Sequence, residues 1–319
     1  MAFLKRRKRD KTLHPVGKKK RRYLLSLWGS LAHKKSFDHL ETFCMFVGYP
    51  RSGHTLIGSL LDAHPNVILA DELDALKFVQ AGFSERQIFY LSLRNSRRAA
   101  AGGRQRTGYS YHVPGQWQGR FDKLQMIGDK MGGYSARRLS KHPTLFESLH
   151  RKFSVKIKFV HVIRNPYDVI STMSLRDSHS LDKGIDQFFS CCDGVEYIKE
   201  RVNAANIYDL RHEDFILNPR RTLKELCDFF HLSSDDAYLE ACASIVFKSP
   251  HRSRLEVSWN RQLIEVVQRR ITRFSFLVDY TYDNALSSSA PGLDLSLQRK
   301  NENDLAQSAT SEFWPLKDT

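Results

Sequence analysis

The amino-acid sequence predicts an α/β fold in which a parallel β-sheet is covered by helices on both faces. Short apolar runs, typical of buried parallel strands, alternate with segments of helical periodicity over residues 43–231. The first run, residues 43–47, leads into a glycine-bounded turn that is followed at once by a helix pattern. The 319 residues, 41% of them hydrophobic, are sufficient for one large domain with a sizeable core.

The first half of the predicted sheet contains one long insert. The predicted elements are a strand over 43–47, a helix over 55–64, a strand over 67–70 and a third strand over 124–127 that ends at Gly128-Asp129-Lys130. The insert, residues 80–123, is rich in Arg, Gly, Ser and aromatic residues and has weak periodicity. We expect it to form a helix and long loops that shape the site of a substrate.

The second half continues the alternation. The predicted elements are a helix over 135–151, a strand over 156–163, helices over 166–176 and 184–201, a last strand over 206–210 and a helix over 219–230. This pattern defines a folded domain of residues 37–283. The polar, low-complexity composition of residues 284–311 predicts that the tail, residues 284–319, is disordered.

The net charge of +15 is concentrated at the beginning of the chain. Residues 1–22 contain eleven Lys or Arg against one acid, Asp10, and residues 1–36 are therefore predicted to be a basic, flexible arm. A solvated arm is one interpretation, and contact with an anionic membrane surface, RNA or a nuclear import receptor are the alternatives. We expect a weak anionic-surface contact through residues 5–22 and no specific nucleic-acid partner.

Cysteine usage and hydropathy limit the compartment and the chemistry. The five cysteines form no Cys-x-x-Cys pair, and their odd number is typical of a reducing compartment. No cysteine or histidine spacing resembles a zinc site, so no metal is predicted. No segment reaches the roughly 18–20 apolar residues of a membrane span. The sequence therefore predicts a soluble, cytoplasmic protein.

The turn after the first strand has the spacing of a phosphate-binding loop. Gly48-Tyr-Pro-Arg-Ser-Gly-His-Thr55 would direct backbone N–H groups and a helix N-terminus toward an anion. The spacing matches a Walker A loop, except that His54 occupies the position of the lysine and the basic residue of the loop is Arg51. A P-loop phosphotransferase using ATP needs that lysine. Such a phosphotransferase remains the alternative function. A glycine turn that binds no ligand is the alternative structural interpretation of the loop.

The segment 49–56, Tyr-Pro-Arg-Ser-Gly-His-Thr-Leu, resembles the 5′-phosphosulfate loop of sulfotransferases that use 3′-phosphoadenosine 5′-phosphosulfate (PAPS). The continuation Leu-Leu-Asp-Ala-His-Pro, residues 60–65, is especially similar to tyrosylprotein sulfotransferases. The resemblance implies the P-loop NTPase-like fold of that family, PAPS as co-substrate and no metal. The residues that it places on the 5′-phosphosulfate are Arg51, Ser52, Gly53, His54 and Thr55.

Residues 159–172 resemble the 3′-phosphate site of the same family, in which an arginine ends a strand and a hydroxyl residue follows eight positions later. The resemblance assigns Arg164 and Thr172 to that phosphate, with Ser171 as the alternative hydroxyl. The alternative interpretation is that residues 165 and 166 only begin a helix and bind no ligand. Arg252 matches the C-terminal basic loop that covers the nucleotide. His212 replaces a family tyrosine, and no ligand contact is assigned to it.

Sulfuryl transfer requires a base for the acceptor hydroxyl and cations where negative charge develops. Glu72 follows the second strand at the separation from Arg51 that tyrosylprotein sulfotransferases use for their catalytic glutamate, and it is the predicted base. Lys130 and Arg51 are predicted to stabilise the transferring group. The alternatives are a helix-capping Glu72 and a solvated Lys130, and the base would then be His112, His142 or Asp74. The acceptor is a molecule with a hydroxyl: a carbohydrate, a tyrosine or phenol, or a lipid.

Overall fold

A computed structural model describes the backbone of residues 15–106 and 108–283, and the side chains of residues 20–106 and 108–283. The described strands are β1 Thr42–Val47, β2 Val67–Asp71, β3 Gln105–Arg106, β4 Tyr109–Ser110, β5 Met126–Lys130, β6 Lys156–Ile163 and β7 Ile207–Arg211. Five of them form a parallel sheet in the order β2-β5-β1-β6-β7. Strands β3 and β4 pair separately as a short antiparallel hairpin.

Twelve α-helices connect and cover these strands within the described residues. They are α1 Pro15–Ala32, α2 His54–Leu61, α3 Ala75–Gln80, α4 Glu85–Ala101, α5 Gly133–Lys141, α6 Pro143–Lys152, α7 Pro166–Asp177, α8 Leu181–Lys199, α9 His212–Leu217, α10 Pro219–Phe229, α11 Asp236–Ala243 and α12 Arg261–Ile271. The insert predicted for residues 80–123 consists mainly of α4 and the β3–β4 hairpin.

The central strand β1 separates two hydrophobic cores. Every residue of β1 is buried. Phe43, Met45 and Val47 pack into the core on one face of the sheet, and Cys44 and Phe46 pack into the core on the other. This division follows from the alternation of side chains along a strand. The predicted α/β fold, with a parallel sheet covered on both faces, is confirmed.

Two predicted boundaries differ from the structure for local reasons. The single helix predicted over residues 135–151 is two helices, α5 and α6, which meet at His142. Pro143 begins α6 because it has no N–H to continue α5 and because it disfavours a helical backbone at the residue before it. The third predicted strand begins later and ends later than expected, so that Lys130 is its last residue.

The N-terminal segment contains a long helix where the sequence predicted a flexible arm over residues 1–36. Helix α1 packs against α4, and its Ser26 is buried in that contact. The first fourteen residues and the predicted tail from residue 284 lie outside the described residues. None of the helices in the described part combines the length and apolar composition that a membrane crossing requires.

Candidate active site

The carboxyl ends of the five parallel strands meet at one edge of the sheet. The groups at these ends are the 48–53 loop after β1, Glu72 after β2, Lys130 at the end of β5, Arg164 after β6 and His212 after β7. Ligands of open α/β sheets bind at this edge, where the order of the strands reverses around the first strand. The parallel topology therefore brings together residues that are far apart in the sequence.

The loop between β1 and α2 has a backbone shape suited to an anion. Arg51 and Gly53 both have positive φ, 65° and 94°, and α2 begins immediately afterwards. Such left-handed positions and the unpaired N–H groups of a first helical turn form anion-binding concavities. Gly53 has no tolerated replacement in this packing, because a Cβ atom there would collide with the ring of His212.

Arg51 contributes both side chain and backbone to this loop. Its guanidinium forms an ion pair with Asp177 at the end of α7. Its Nε is buried without a hydrogen-bond partner among the described residues. A buried, unpaired N–H beside a concave loop is expected where an anion binds, so the loop fits a phosphate or phosphosulfate group. The pairing with Asp177 was not recognisable in the sequence, since no motif contains that residue.

His54 is a neutral imidazole at the position of the Walker A lysine. Burial, together with the nearby charge of Lys130, lowers the pKa of His54 to about 3. Its Nδ1 lies 3.1 Å from the Oγ of Ser52, which places the ring within the loop. A neutral ring cannot supply the cation that the terminal phosphates of ATP require. The loop therefore retains its shape without the charge of a triphosphatase.

Lys130 is the centre of a polar cluster between β2, β5 and α2. Its Nζ lies 2.6 Å from Oδ1 of Asp71, 3.1 Å from Oε1 of Glu72 and 3.1 Å from Oγ1 of Thr55. The Lys130 side chain is only 3% exposed. Burial lowers the pKa of Lys130, whereas the Asp71 carboxylate acts in the opposite direction. The interpretation of Lys130 as a solvated surface residue does not agree with this environment.

Glu72 occupies a turn that is held from below by Asp129. The carboxylate of Asp129 accepts hydrogen bonds from the N–H groups of Leu73 (2.9 Å) and Ala75 (2.7 Å). Glu72 itself has a left-handed backbone, with φ of 56°. Helix α3 begins at Ala75 with Asp74 as its N-cap. Glu72 therefore lies before the cap position, and its carboxylate faces Lys130.

Arg106 is a member of this cluster that sequence reasoning missed. It belongs to the β3–β4 hairpin, forms an ion pair with Oε2 of Glu72 and lies 3.7 Å from Oδ2 of Asp71. Its side chain is 39% exposed, so it covers the cluster from the solvent side. The insert that contains Arg106 has no recognisable motif, and only the enrichment of arginine there pointed to a role.

Arg164 connects the phosphate loop to the C-terminal part of the domain. Its Nη1 donates to the carbonyl of Arg51 (3.0 Å), and its Nη2 donates to the carbonyl of His251 (2.7 Å). A guanidinium has five N–H groups, so these two bonds leave donors for an anion. Arg164 is buried, which strengthens its electrostatic interactions.

Thr172 reaches the same C-terminal segment. Its Oγ1 lies 2.9 Å from the Oγ of Ser253, and Ser253 also contacts Nδ1 of His251 at 3.0 Å. Ser171, the alternative hydroxyl, instead accepts a hydrogen bond from Nε1 of Trp259 at 2.9 Å and is fully buried. The structure thus brings Thr172 and Arg164 to one segment and directs Ser171 away from it.

The two arginines of residues 251–254 lie in different environments. Arg254 is buried and forms an ion pair with Asp168 of α7 at 2.6 Å, which fixes the segment to that helix. Arg252 is exposed between these anchors. An exposed arginine on an anchored segment beside Arg164 and Thr172 is available to an anionic ligand.

The other candidate bases lie apart from Glu72. His112 is exposed, and His142 is exposed at the junction of α5 and α6. Asp74 forms an ion pair with Arg138 at 2.7 Å. Among the contacts of the described residues, none of the three touches Glu72 or Lys130.

His212 is expected to make the protein less stable in acid. Burial, and then the charge of Arg164, lowers the pKa of His212 to about 3, from 6.5 for an exposed histidine. The unfolded chain therefore takes up this proton below pH 6.5 and the folded chain does not. The contribution of His212 to the free energy of unfolding is therefore fully present above pH 6.5. It is lost as the pH falls toward 3, with a slope of about 1.4 kcal/mol per pH unit.

Urea unfolding of His212→Gln at pH 7 and pH 5 tests this expectation. The difference between the two unfolding free energies should be smaller than in the unsubstituted protein by about 2 kcal/mol. The matched substitution of an exposed histidine, His150→Gln, is the control. An unchanged pH dependence in His212→Gln would show that the ring is protonated in the fold.

The sequence of the chain matches that of a known protein family. The family model described as "Sulfotransferase family" matches residues 45–236. No curated protein matches. The sulfotransferase domain from the Synechococcus PCC 7002 olefin synthase is 17% identical, with 88% of this chain and 98% of that chain covered and a TM-score of 0.45. A mouse sulfotransferase complexed with 3′-phosphoadenosine 5′-phosphate (PAP) is 14% identical, with 90% of this chain and 91% of that chain covered and a TM-score of 0.38.

Proposed function

The chain belongs to the sulfotransferase family, and we propose that it transfers the sulfuryl group of PAPS to the hydroxyl oxygen of an acceptor. The observation that carries the proposal is the Lys130 cluster. A buried ammonium lies between the carboxylate of Glu72 and the first turn of the helix that follows the phosphate loop. This arrangement supports the proposal, because the proposed base, the proposed cation and the loop of residues 48–53 lie together at the carboxyl edge of the sheet.

Each residue has a distinct part in the proposed reaction. In the reaction, the bond between sulfur and the bridging oxygen of the 5′-phosphate of PAPS breaks, and PAP leaves with that oxygen. Glu72 takes the proton of the acceptor hydroxyl while that oxygen forms its bond to sulfur. Lys130 and Arg51 stabilise the negative charge that develops on the departing oxygen. The proton leaves Glu72 to solvent after the product departs.

The two oxygens of Glu72 differ in access. Oε1 faces the buried Lys130, and Oε2 faces Arg106, which is far more exposed. An acceptor arriving from solvent can replace a contact of Arg106 more easily than one of Lys130, because less buried surface must be opened. We therefore assign Oε2 to the acceptor proton and the β3–β4 hairpin to the wall of the acceptor site.

Turnover with labelled PAPS tests the proposal directly. The chain is incubated with a carbohydrate, a tyrosine peptide, a phenol and a lipid alcohol, with and without a metal chelator. We expect label on one acceptor class, and the chelator should have no effect. Magnesium-dependent phosphate transfer from ATP, without sulfuryl transfer from PAPS, would instead support a phosphotransferase.

Arg164→Ala is expected to weaken PAPS far more than adenosine 5′-phosphosulfate, which lacks the 3′-phosphate. Charge-assisted hydrogen bonds to a buried guanidinium contribute enough for a loss of about thirtyfold for PAPS. A second, smaller loss of affinity that is common to both ligands is expected as well, because Arg164 also holds the carbonyl of Arg51. Calorimetry with both nucleotides measures the difference, and Arg269→Ala on the exposed face of α12 is the control. Equal losses for the two ligands would remove the 3′-phosphate assignment.

A further inference from the structure

Helix α1 packs on the domain through small and polar side chains. Ser26 and Ser30 are buried in its contact with α4, and Nε2 of Gln87 donates a hydrogen bond to the Oγ of Ser26 at 3.1 Å. Gly29 lies so close to the ring of Tyr90 that a Cβ atom would collide with it. The side of α1 that meets α4 therefore carries the small residues of the helix, and Tyr23 contacts Phe83 at its edge.

The opposite side of α1 carries large apolar residues that face solvent. Leu24, Leu27, Trp28 and Leu31 follow one another at helical spacing, so they form a single stripe. Leu24 is 55% exposed, Leu31 is 61% exposed and Trp28 is 71% exposed. A helix of a water-soluble domain normally turns such a stripe to the core. No described part of the chain buries this stripe, Leu24–Leu31.

Positive charge lies beside the Leu24–Leu31 stripe. Lys20, Arg21 and Arg22 are exposed in the same helix. Lys20 lies one turn before Leu24 on the same face, whereas the guanidinium of Arg22 lies over the ring of Phe78. The helix contains no acidic residue. On α4, the face that contacts α1 through Tyr90 continues with further exposed arginines. These are Arg94, Arg97 and Arg98.

We propose that α1 docks on an anionic lipid surface, with the Leu24–Leu31 stripe inserted at the boundary between headgroups and acyl chains. A helix with exposed Leu and Trp on one face and Lys and Arg beside them has the composition of an interfacial helix. The basic residues would contact lipid phosphates, since each cation near an anionic leaflet adds to the attraction. The tryptophan ring suits this boundary because it is apolar with one polar N–H.

Other occupants fit this face less well. A nucleic acid would meet the basic residues but leave the apolar stripe in water. A second copy of the chain would cover the stripe but would bring a helix without acids, together with its cations, toward the same cations. A lipid surface satisfies both the apolar and the basic residues. The proposal does not depend on the proposed function, because it rests on residues outside the site.

Flotation of the full chain with vesicles tests the proposal. Vesicles of phosphatidylcholine are compared with vesicles that also contain phosphatidylserine. We expect the chain to bind the anionic vesicles and to dissociate at high salt. The double substitution Leu24→Ser/Trp28→Ser should lower the partition coefficient by about a hundredfold, the loss expected from two inserted apolar side chains. The control Leu175→Ser/Leu217→Ser changes two comparably exposed leucines on α7 and α9 and should bind as before.

Tryptophan fluorescence identifies the inserted residue. Binding to anionic vesicles should shift the emission to shorter wavelength, and Trp28→Phe should remove that shift while binding persists. Thermal unfolding monitored by circular dichroism verifies that each variant is folded. Equal partitioning of Leu24→Ser/Trp28→Ser and the unsubstituted chain would overturn the proposal. Self-association without lipid that the same double substitution abolishes would also overturn it and identify the face as an interface between copies.

Discussion

Glu72→Gln is expected to lower the rate of sulfuryl transfer by about a hundredfold or more while PAPS affinity changes by less than about twofold. The substitution keeps the size of the side chain and its ability to accept a hydrogen bond from Lys130, which lies 3.1 Å from Oε1. It removes only the capacity to take a proton. The loss should therefore occur in kcat rather than in nucleotide binding.

Steady-state kinetics with saturating PAPS and calorimetry with PAPS in the absence of acceptor measure these two quantities. Glu147→Gln, at an exposed position of α6, is the matched control and should leave both unchanged. Near-normal turnover in Glu72→Gln would return the search for a base to His112, His142 or Asp74. A loss of nucleotide affinity equal to the loss of rate would instead assign Glu72 to the shape of the loop.

Lys130→Met is expected to lower kcat by about a hundredfold to a thousandfold, the range found when a preorganised donor to developing charge is removed. Methionine has nearly the length of lysine without its charge. The substitution leaves Asp71 and Glu72 adjacent and keeps their ion pairs with Arg106. Some loss of stability is therefore expected as well, because an ion pair at a buried site loses one partner.

The ratio of the effects on rate and binding distinguishes catalysis from structure in Lys130→Met. PAP should bind within about tenfold of the unsubstituted protein, since PAP lacks the sulfuryl group beside which the charge develops. Lys77→Met, at an exposed position of α3, is the control for the change of residue type. If PAP affinity falls as much as kcat, Lys130 acts on nucleotide binding and not on the transition state.

Much of the fold was predictable because its signals are local. The apolar runs of β1 and β6 reflect burial on both faces of a parallel sheet, and the structure has these strands within one residue of the predicted bounds. The loop of residues 48–55 was recognisable between a strand and a helix, and its role in phosphate binding stays a prediction. The break at Pro143 was also a local signal, and the prediction of a single helix over residues 135–151 overlooked it.

The partners of the site residues were not predictable. Arg51 pairs with Asp177, 126 positions away in the sequence, and Lys130 meets Glu72 across 58 positions. Arg106 reaches Glu72 from a hairpin without a motif. Such contacts depend on how strands are ordered in the sheet and on where an insert folds back, neither of which leaves a periodic pattern in the chain.

The fold class, the candidate phosphate loop and the resemblance to PAPS-dependent sulfotransferases are all visible in the sequence, because each depends on neighbouring residues and their spacing. Which charges meet is visible only in the folded chain: Lys130 with Asp71 and Glu72, and Arg164 with the carbonyls of Arg51 and His251. The folded chain also shows that α1 contacts α4 through its serines and that Trp28 faces solvent. Helical periodicity shows that a helix has two faces, but only packing against α4 shows which face is buried.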